Sequence, residues 1–189
     1  PVAPVVKPGV PTLGGLTIGN GQVTVPWTAP ADTGSDPITG YVVTPYLNGT
    51  AQTAVTYDAG PATRTLSGLT AGGSYTFTVA AVNAQGTSTA STASVAVVPY
   101  TLPGAPAVTG VTAGTSAATL TWTAPSSTGF SAITGYVVTP YLNGVAQTPV
   151  TFSGAGTTQT VAGLTPGSTY TFRVAATNAA GTGPASATS

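Results

Sequence analysis

A nine-residue segment that occurs twice constrains this chain more than any other feature. Tyr41–Gly49 reads YVVTPYLNG, and Tyr136–Gly144 repeats it letter for letter at an offset of 95 residues. The same offset aligns residues 8–94 with residues 103–189 without insertion or deletion. A repeat of this length is a small domain, because the units of solenoid proteins are only about 20–50 residues long. The sequence therefore predicts two similar domains in tandem.

The low charge of the chain argues against several functions. Of the 189 residues, three are Lys or Arg and three are Asp or Glu. Binding to nucleic acid or to an anionic membrane needs clustered cations. Spanning a bilayer needs a run of about 18 apolar residues, and the sequence contains none. His and Cys are absent, which removes the commonest general base and most zinc ligands. We therefore predict a protein that is not an enzyme, with no cofactor, no metal, no nucleic acid partner and no membrane insertion.

Each repeat reads as short strands separated by turns. Residues 23–27 and 75–82 alternate apolar and polar side chains, which is typical of half-buried strands. Asn48-Gly49 is a strong hairpin signal, because both residues tolerate the positive φ of a type I′ turn. No segment combines helical periodicity with capping residues. Seven short strands per repeat, at intervals of about 8–12 residues, predict an all-β fold of two antiparallel β-sandwiches.

The repeat also sets expected domain boundaries. We assign residues 1–7 to the tail of a preceding unit or a linker, 8–99 to the first domain, 100–106 to a Pro-rich linker and 107–189 to the second domain. Val2 and Pro4 align with Val97 and Pro99. Residues 94–98 read as the strand that closes the first domain, so the second domain is expected to lack its closing strand. Three interpretations remain: the chain is part of a longer array, its ends are arbitrary, or the N-terminal segment of one molecule completes the second domain of the next.

Several motifs resemble those of the fibronectin type III domain. Trp27 and Trp122 match the family's tryptophan on strand B, and residues 164–170, LTPGSTY, are similar to its Leu-x-Pro-Gly-Thr-x-Tyr signature. The first repeat has LTAGGSY there and lacks the proline. The resemblance implies two immunoglobulin-like sandwiches of the bacterial secreted type. It also implies a tyrosine corner, in which the hydroxyls of Tyr75 and Tyr170 bond to upstream backbone. The family's Arg-Gly-Asp tripeptide is absent.

We predict two sets of structural and surface residues. The structural core contains Trp27, Tyr41, Leu69 and Tyr75 in the first domain, and Trp122, Tyr136, Leu164 and Tyr170 in the second. A possible interaction surface contains Tyr46, Tyr141 and Phe130. Alternation places the two tyrosines on the face opposite Tyr41, where they either bind a partner or cover their own sheet. Phe130, which replaces Ser35, either contacts a neighbour or covers its own core.

The loop carboxylates Asp32 and Asp36 are better explained as turn residues than as ligands of Ca²⁺. Their counterparts in the second repeat are Ser127 and Ser131, which carry no charge. Aspartates in loops commonly hydrogen-bond to nearby backbone. The sequence therefore gives no site for a metal ion.

Three functions fit a repeated domain without reactive side chains. The first is a structural or spacer repeat of a bacterial extracellular array, such as a surface stalk, filament or fibre, with neighbouring copies as partners and end-to-end self-association. The alternative is an accessory spacer or docking module of a secreted polysaccharide-degrading enzyme. The third is an adhesin module that binds a glycan or the cell wall. All three place the chain outside the cell or at its surface.

Overall fold

A computed structural model describes residues 5–189 of the chain. The chain divides into two compact units, with the boundary between Pro99 and Tyr100. Across the described residues it forms strands, turns and loops but no helix, and all strand pairs are antiparallel. The predicted all-β class is therefore confirmed. The alignment of Val2 and Pro4 with the inter-domain segment falls outside the described residues.

The first unit is a two-sheet sandwich. In one sheet the third strand is central and pairs with the first, second and seventh strands. In the other sheet the fourth strand pairs with the fifth, sixth and eighth strands, and the eighth strand also pairs with the ninth. The strands are β1 (Thr12–Leu13), β2 (Thr17–Gly19), β3 (Gln22–Thr28), β4 (Gly40–Leu47), β5 (Thr50–Ala51), β6 (Val55–Asp58), β7 (Thr63–Ser67), β8 (Tyr75–Asn83) and β9 (Gly86–Thr87).

The second unit repeats this arrangement, with a single first strand in place of β1 and β2. That strand pairs with the second, which pairs with the sequence equivalent of β7; the other sheet has the same order as in the first unit. The strands are β10 (Ala107–Gly114), β11 (Ala117–Thr123), β12 (Gly135–Leu142), β13 (Val145–Ala146), β14 (Val150–Ser153), β15 (Thr158–Ala162), β16 (Tyr170–Asn178) and β17 (Gly181–Ala185).

Alternation along the central strands builds each core. In β3, Val23, Val25 and Trp27 are buried, while Thr24 on the outer face shares a hydroxyl hydrogen bond of 2.8 Å with Thr65 of β7. Successive side chains of a strand point to opposite faces, so one face of β3 turns inward against β4 and β8. Burying such apolar surface contributes about 25 cal/mol per Å². Each unit has its own cluster of buried residues, and the two clusters share no member.

A proline in the middle of β4 lies beside an interruption of the edge strand. Pro45 accepts a hydrogen bond of 2.8 Å from the N–H of Gln52, and Pro140 accepts the same bond from Gln147. Proline has no N–H to return, so regular pairing cannot continue there. The edge accordingly splits into β5 and β6 in the first unit.

Serines at every third position close the second sheet of the first unit. Each serine donates its backbone N–H to a carbonyl of β8, and its hydroxyl oxygen accepts the N–H of that same residue. Three residues of the closing segment thus span two residues of β8, which makes this edge irregular between β9 and the isolated bridge of Val97 with Tyr75. The pairs are Ser88 with Ala81, Ser91 with Val79, and Ser94 with Phe77.

The second unit also has a closing segment along β16. β17 pairs with β16, and Ser186 and Ser189 then bond to Val174 and Phe172 in the same two-way manner. This segment begins directly after the turn that follows β16.

The predicted linker packs against the second unit. The N–H of Thr101 donates to the carbonyl of Gly129 at 2.8 Å, the N–H of Gly104 donates to that of Ser127 at 2.9 Å, and Pro103 and Pro106 are buried. Residues 101–106 are thus a structural part of this unit and not a free spacer. In the first unit, Val6 of the predicted tail donates its N–H to the hydroxyl of Ser35 at 2.8 Å, and its carbonyl accepts the N–H of Ser35 at 3.0 Å.

Candidate functional site

The predicted core residues divide into a fully buried and a partly buried group. The buried group contains Trp27, Tyr41, Tyr75, Trp122 and Tyr136, each at most 5% exposed. Leu69, Leu164 and Tyr170 are partly buried and pack against the clusters. In both units the tryptophan ring lies against a tyrosine of β4 or β12, with centroids 5.1 Å apart for Trp27–Tyr41 and 5.0 Å for Trp122–Tyr136.

Both units contain the hydrogen bond of a tyrosine corner. The hydroxyl of Tyr75 accepts the N–H of Thr70 at 3.0 Å, and that of Tyr170 accepts the N–H of Thr165 at 3.3 Å. Hydrogen bonding to Thr165 lowers the pKa of Tyr170, because the bonds favour the phenolate form. These bonds hold the chain that follows β7 and β15, and they engage both tyrosine hydroxyls.

Two of the predicted surface aromatics lie half-buried on the outer face of a sheet. The guanidinium carbon of Arg173 lies 5.3 Å from the ring centroid of Tyr141, and its Nε donates to the hydroxyl of Thr188 at 3.0 Å. Tyr141 is therefore covered by its own unit. At Tyr46 the residue equivalent to Arg173 is Thr78, so this cation–π contact is specific to the second unit.

Phe130 is the most exposed of the predicted surface aromatics. Its side chain is 65% exposed, and its backbone has a φ of 62°, which non-glycine residues seldom adopt. It is not among the residues that pack against the second core. The loop therefore presents Phe130 to solvent, which removes the alternative that it covers its own core.

In each unit a buried asparagine joins three chain segments at one end of the sandwich. In the second unit this is the end that carries Phe130. The side-chain amide of Asn178 donates to the carbonyls of Thr101 and Thr128, both at 2.8 Å, and its oxygen accepts the N–H of Ala180 at 2.8 Å. Asn83 has the same function in the first unit. Sequence reasoning assigned no function to either residue. Their conservation between the two repeats was the available signal.

The carboxylates of the first unit are engaged in local contacts. Asp32 accepts the N–H of Gly34 at 2.9 Å, and Asp36 accepts the amide of Gln85 at 2.7 Å. Asp58 forms an ion pair with Arg64, whose guanidinium carbon lies 5.3 Å from the ring centroid of Tyr57. Burial raises the pKa of Tyr57, and the positive charge of Arg64 partly opposes that rise. Within residues 5–189, no group of three or more acidic, His or Cys side chains is placed to hold a metal ion.

Each unit has a groove between the edges of its two sheets. The groove of the first unit has a volume of about 500 Å³ and is lined by Gln52, Thr53 and Tyr57 among others. A smaller groove of about 330 Å³ lies at the equivalent place in the second unit, beside Gln147 and Thr148. Both are lined by neutral residues, so they offer hydrogen bonds and apolar contact but no acid–base pair.

The geometry agrees with the comparison with protein families. The fibronectin type III domain family matches residues 11–97 and 103–189, and the chain belongs to this family as two tandem domains. The crystal structure of the FN1–FN3 domains of chicken CNTN1 has the same fold, with a TM-score of 0.62 and 21% identity over 98% of this chain and 67% of that one. In the described part of the chain, no helix has the length and apolar character needed to cross a bilayer.

Two curated bacterial proteins resemble this chain in sequence. Chitinase A1 of Niallia circulans is 42% identical over 169 residues, which are 85% of this chain and 22% of the relative. Endoglucanase B of Cellulomonas fimi is 39% identical over 167 residues, which are 84% of this chain and 15% of the relative. The chain thus spans less than a quarter of the length of either relative.

Proposed function

We propose that this chain is a pair of non-catalytic spacer domains from a secreted bacterial enzyme that degrades a polysaccharide. The observation that carries this proposal is the similarity to parts of a chitinase and of an endoglucanase, at 42% and 39% identity. The matched region covers 22% and 15% of those proteins. In this proposal a domain elsewhere in the parent protein performs the hydrolysis, and the two sandwiches set its distance from other domains.

The chemistry of the two units fits a spacer. Glycoside hydrolysis usually needs two carboxyl groups about 5–10 Å apart across a sugar. The three acidic residues of this chain are Asp32, Asp36 and Asp58, and each is bound to a nearby group. The polymeric substrate of such an enzyme lies outside the cell, so we propose an extracellular location. The partner in this proposal is a neutral polysaccharide.

This function is favoured over the surface stalk or filament that the repeat alone suggested. The sequence similarity points toward enzymes that degrade polysaccharides. The serine-bonded edges of both units also disfavour edge-to-edge pairing, because they offer an irregular backbone template.

The native parent protein provides the test. Peptide sequencing of the secreted polypeptide is expected to identify a glycoside hydrolase domain in the same chain. Deleting the segment equivalent to residues 5–189 is expected to leave hydrolysis of a soluble oligosaccharide unchanged and to slow hydrolysis of the insoluble polymer. A parent polypeptide composed of fibronectin type III domains alone would contradict the proposal.

A further inference from the structure

At one end the two units share the same backbone arrangement but carry different side chains. This loop end consists of the segment before β1 or β10, the loop after β3 or β11 and the turn after β8 or β16. Asn83 and Asn178 hold these segments together by equivalent hydrogen bonds. Five positions there change from charged or polar in the first unit to less polar in the second: Lys7 to Leu102, Asp32 to Ser127, Ser35 to Phe130, Asp36 to Ser131, and Gln85 to Ala180.

The loop end of the second unit therefore has no charged side chain. The only charged side chain between residues 100 and 189 is Arg173, which lies on the sheet face against Tyr141. Leu102 is 37% exposed, and its side chain lies against Gly181. Phe130 is 65% exposed, and it follows Gly129, whose carbonyl accepts the N–H of Thr101 next to Leu102. These two apolar side chains therefore lie on adjoining segments of the loop end.

The backbone at Phe130 is held in an unfavourable conformation. Left-handed φ values cost a non-glycine residue about 1 kcal/mol or more, and the exposed ring regains little of that by packing. Strained residues of this kind concentrate at binding sites, where the surrounding structure holds them in place. In the first unit the equivalent Ser35 has a structural function instead, since its hydroxyl accepts the N–H of Val6 at 2.8 Å.

We propose that Phe130 and Leu102 form a contact surface for a neutral, β-linked polysaccharide; this inference rests on the spacer function proposed above. A pyranose ring presents a face of C–H groups, and these are attracted to the negative face of an aromatic ring. A surface without charge suits a polymer without charge. One ring binds one sugar weakly, but an insoluble polymer offers many adjacent sites and so raises the overall affinity.

Depletion assays on the 189-residue chain test this surface with two probes, chitin powder and microcrystalline cellulose. We expect binding to at least one polymer, with little dependence on salt, since no ion pair is involved. Phe130→Asn is expected to lower the partition coefficient about two- to tenfold. The matched control, Ser35→Asn, changes the equivalent position of the first unit and is expected to bind as the parent does. Leu102→Lys, which introduces the residue of the first unit, is expected to weaken binding as well.

Thermal melts separate a contact surface from a structural residue. Asparagine tolerates left-handed backbone better than phenylalanine, so Phe130→Asn is expected to melt at or above the temperature of the parent. Unchanged binding by this variant, or a lowered melting temperature that accounts for its lost binding, would overturn the proposal. So would failure of the parent chain to bind either polymer. That last result would leave the spacer function intact, because a spacer needs no contact with the substrate.

Discussion

At the scale of single residues, positions that differ between the repeats identify features that only one sandwich has. The first unit has an ion pair between β6 and β7 beside a tyrosine ring, and the second has neutral side chains at the same places. Because both units keep the same sheets, this charged cluster is not needed for the fold. The equivalent residues are Tyr57 and Phe152, Asp58 and Ser153, and Arg64 and Gln159.

Tyr57 is expected to make the first unit sensitive to alkaline pH. Its pKa is raised in the folded state, mainly by burial, so folding favours the protonated phenol. That stabilisation is complete below the ordinary tyrosine pKa of about 10 and is lost as pH rises through and above this value. Urea denaturation followed by circular dichroism is expected to show that Tyr57→Phe reduces the loss of stability between about pH 9 and pH 11. An equal loss in parent and variant would contradict this assignment.

Asn178 is expected to contribute strongly to the stability of the second unit. Asn178→Ala removes the partners of two carbonyls and one N–H, and an unpaired buried polar group costs about 1–3 kcal/mol. Fluorescence of Trp122 in a Trp27→Phe background reports unfolding of the second unit alone. Asn83→Ala is the matched control, since it is expected to spare this transition and destabilise the first unit. An unchanged Trp122 transition in Asn178→Ala would show that the asparagine does not hold the loop end.

At the scale of elements, the central strands followed their sequence pattern and the closing edges did not. Alternation predicted β3, β4 and β8, because one face of each strand is buried. The closing segment has a period of three, set by serine hydroxyls that bond to backbone. Alternation of apolar residues carries no information about such bonds, so it does not predict where the closing segment runs.

The contacts of the loop end could not be predicted from local sequence either. The three partners of Asn178 lie 77, 50 and 2 residues away, and only the tertiary fold brings the distant ones together. The left-handed backbone of Phe130 is not encoded by any turn signature, since phenylalanine is not a residue that favours it. The aromatic residue was identified from the repeat, but its exposure had to come from the structure.

The serine contacts of the closing edge are expected to be worth more than ordinary surface hydrogen bonds. Ser91→Ala leaves the N–H of Val79 without its acceptor at a buried position, which we expect to cost about 1–3 kcal/mol. The exposed neighbour provides the control, since Thr92→Ala is expected to change stability by less than about 0.5 kcal/mol. Urea denaturation gives the free energies, and hydrogen exchange of the Val79 amide locates the effect. Unaltered exchange at Val79 would exclude the proposed bond.

At the scale of the whole molecule, the two units keep separate sources of stability. Their buried clusters have no residue in common, and the chain divides between Pro99 and Tyr100. Each unit has one tryptophan at the centre of its cluster. A spacer made of such units keeps its remaining domain folded when the other is damaged.

This separation predicts that each unit unfolds on its own. Trp122→Ala removes a buried aromatic ring and is expected to cost the second unit about 3–5 kcal/mol, while the transition reported by Trp27 keeps its midpoint. Trp27→Ala is the reciprocal control: it destabilises the first unit, and it is expected to leave the midpoint reported by Trp122 unchanged. The fragment of residues 100–189, expressed alone, is expected to unfold cooperatively at the midpoint that Trp122 reports in the whole chain. A single transition that both variants shift would mean that the two cores are energetically coupled, because independent units cannot transmit the loss of a ring from one to the other.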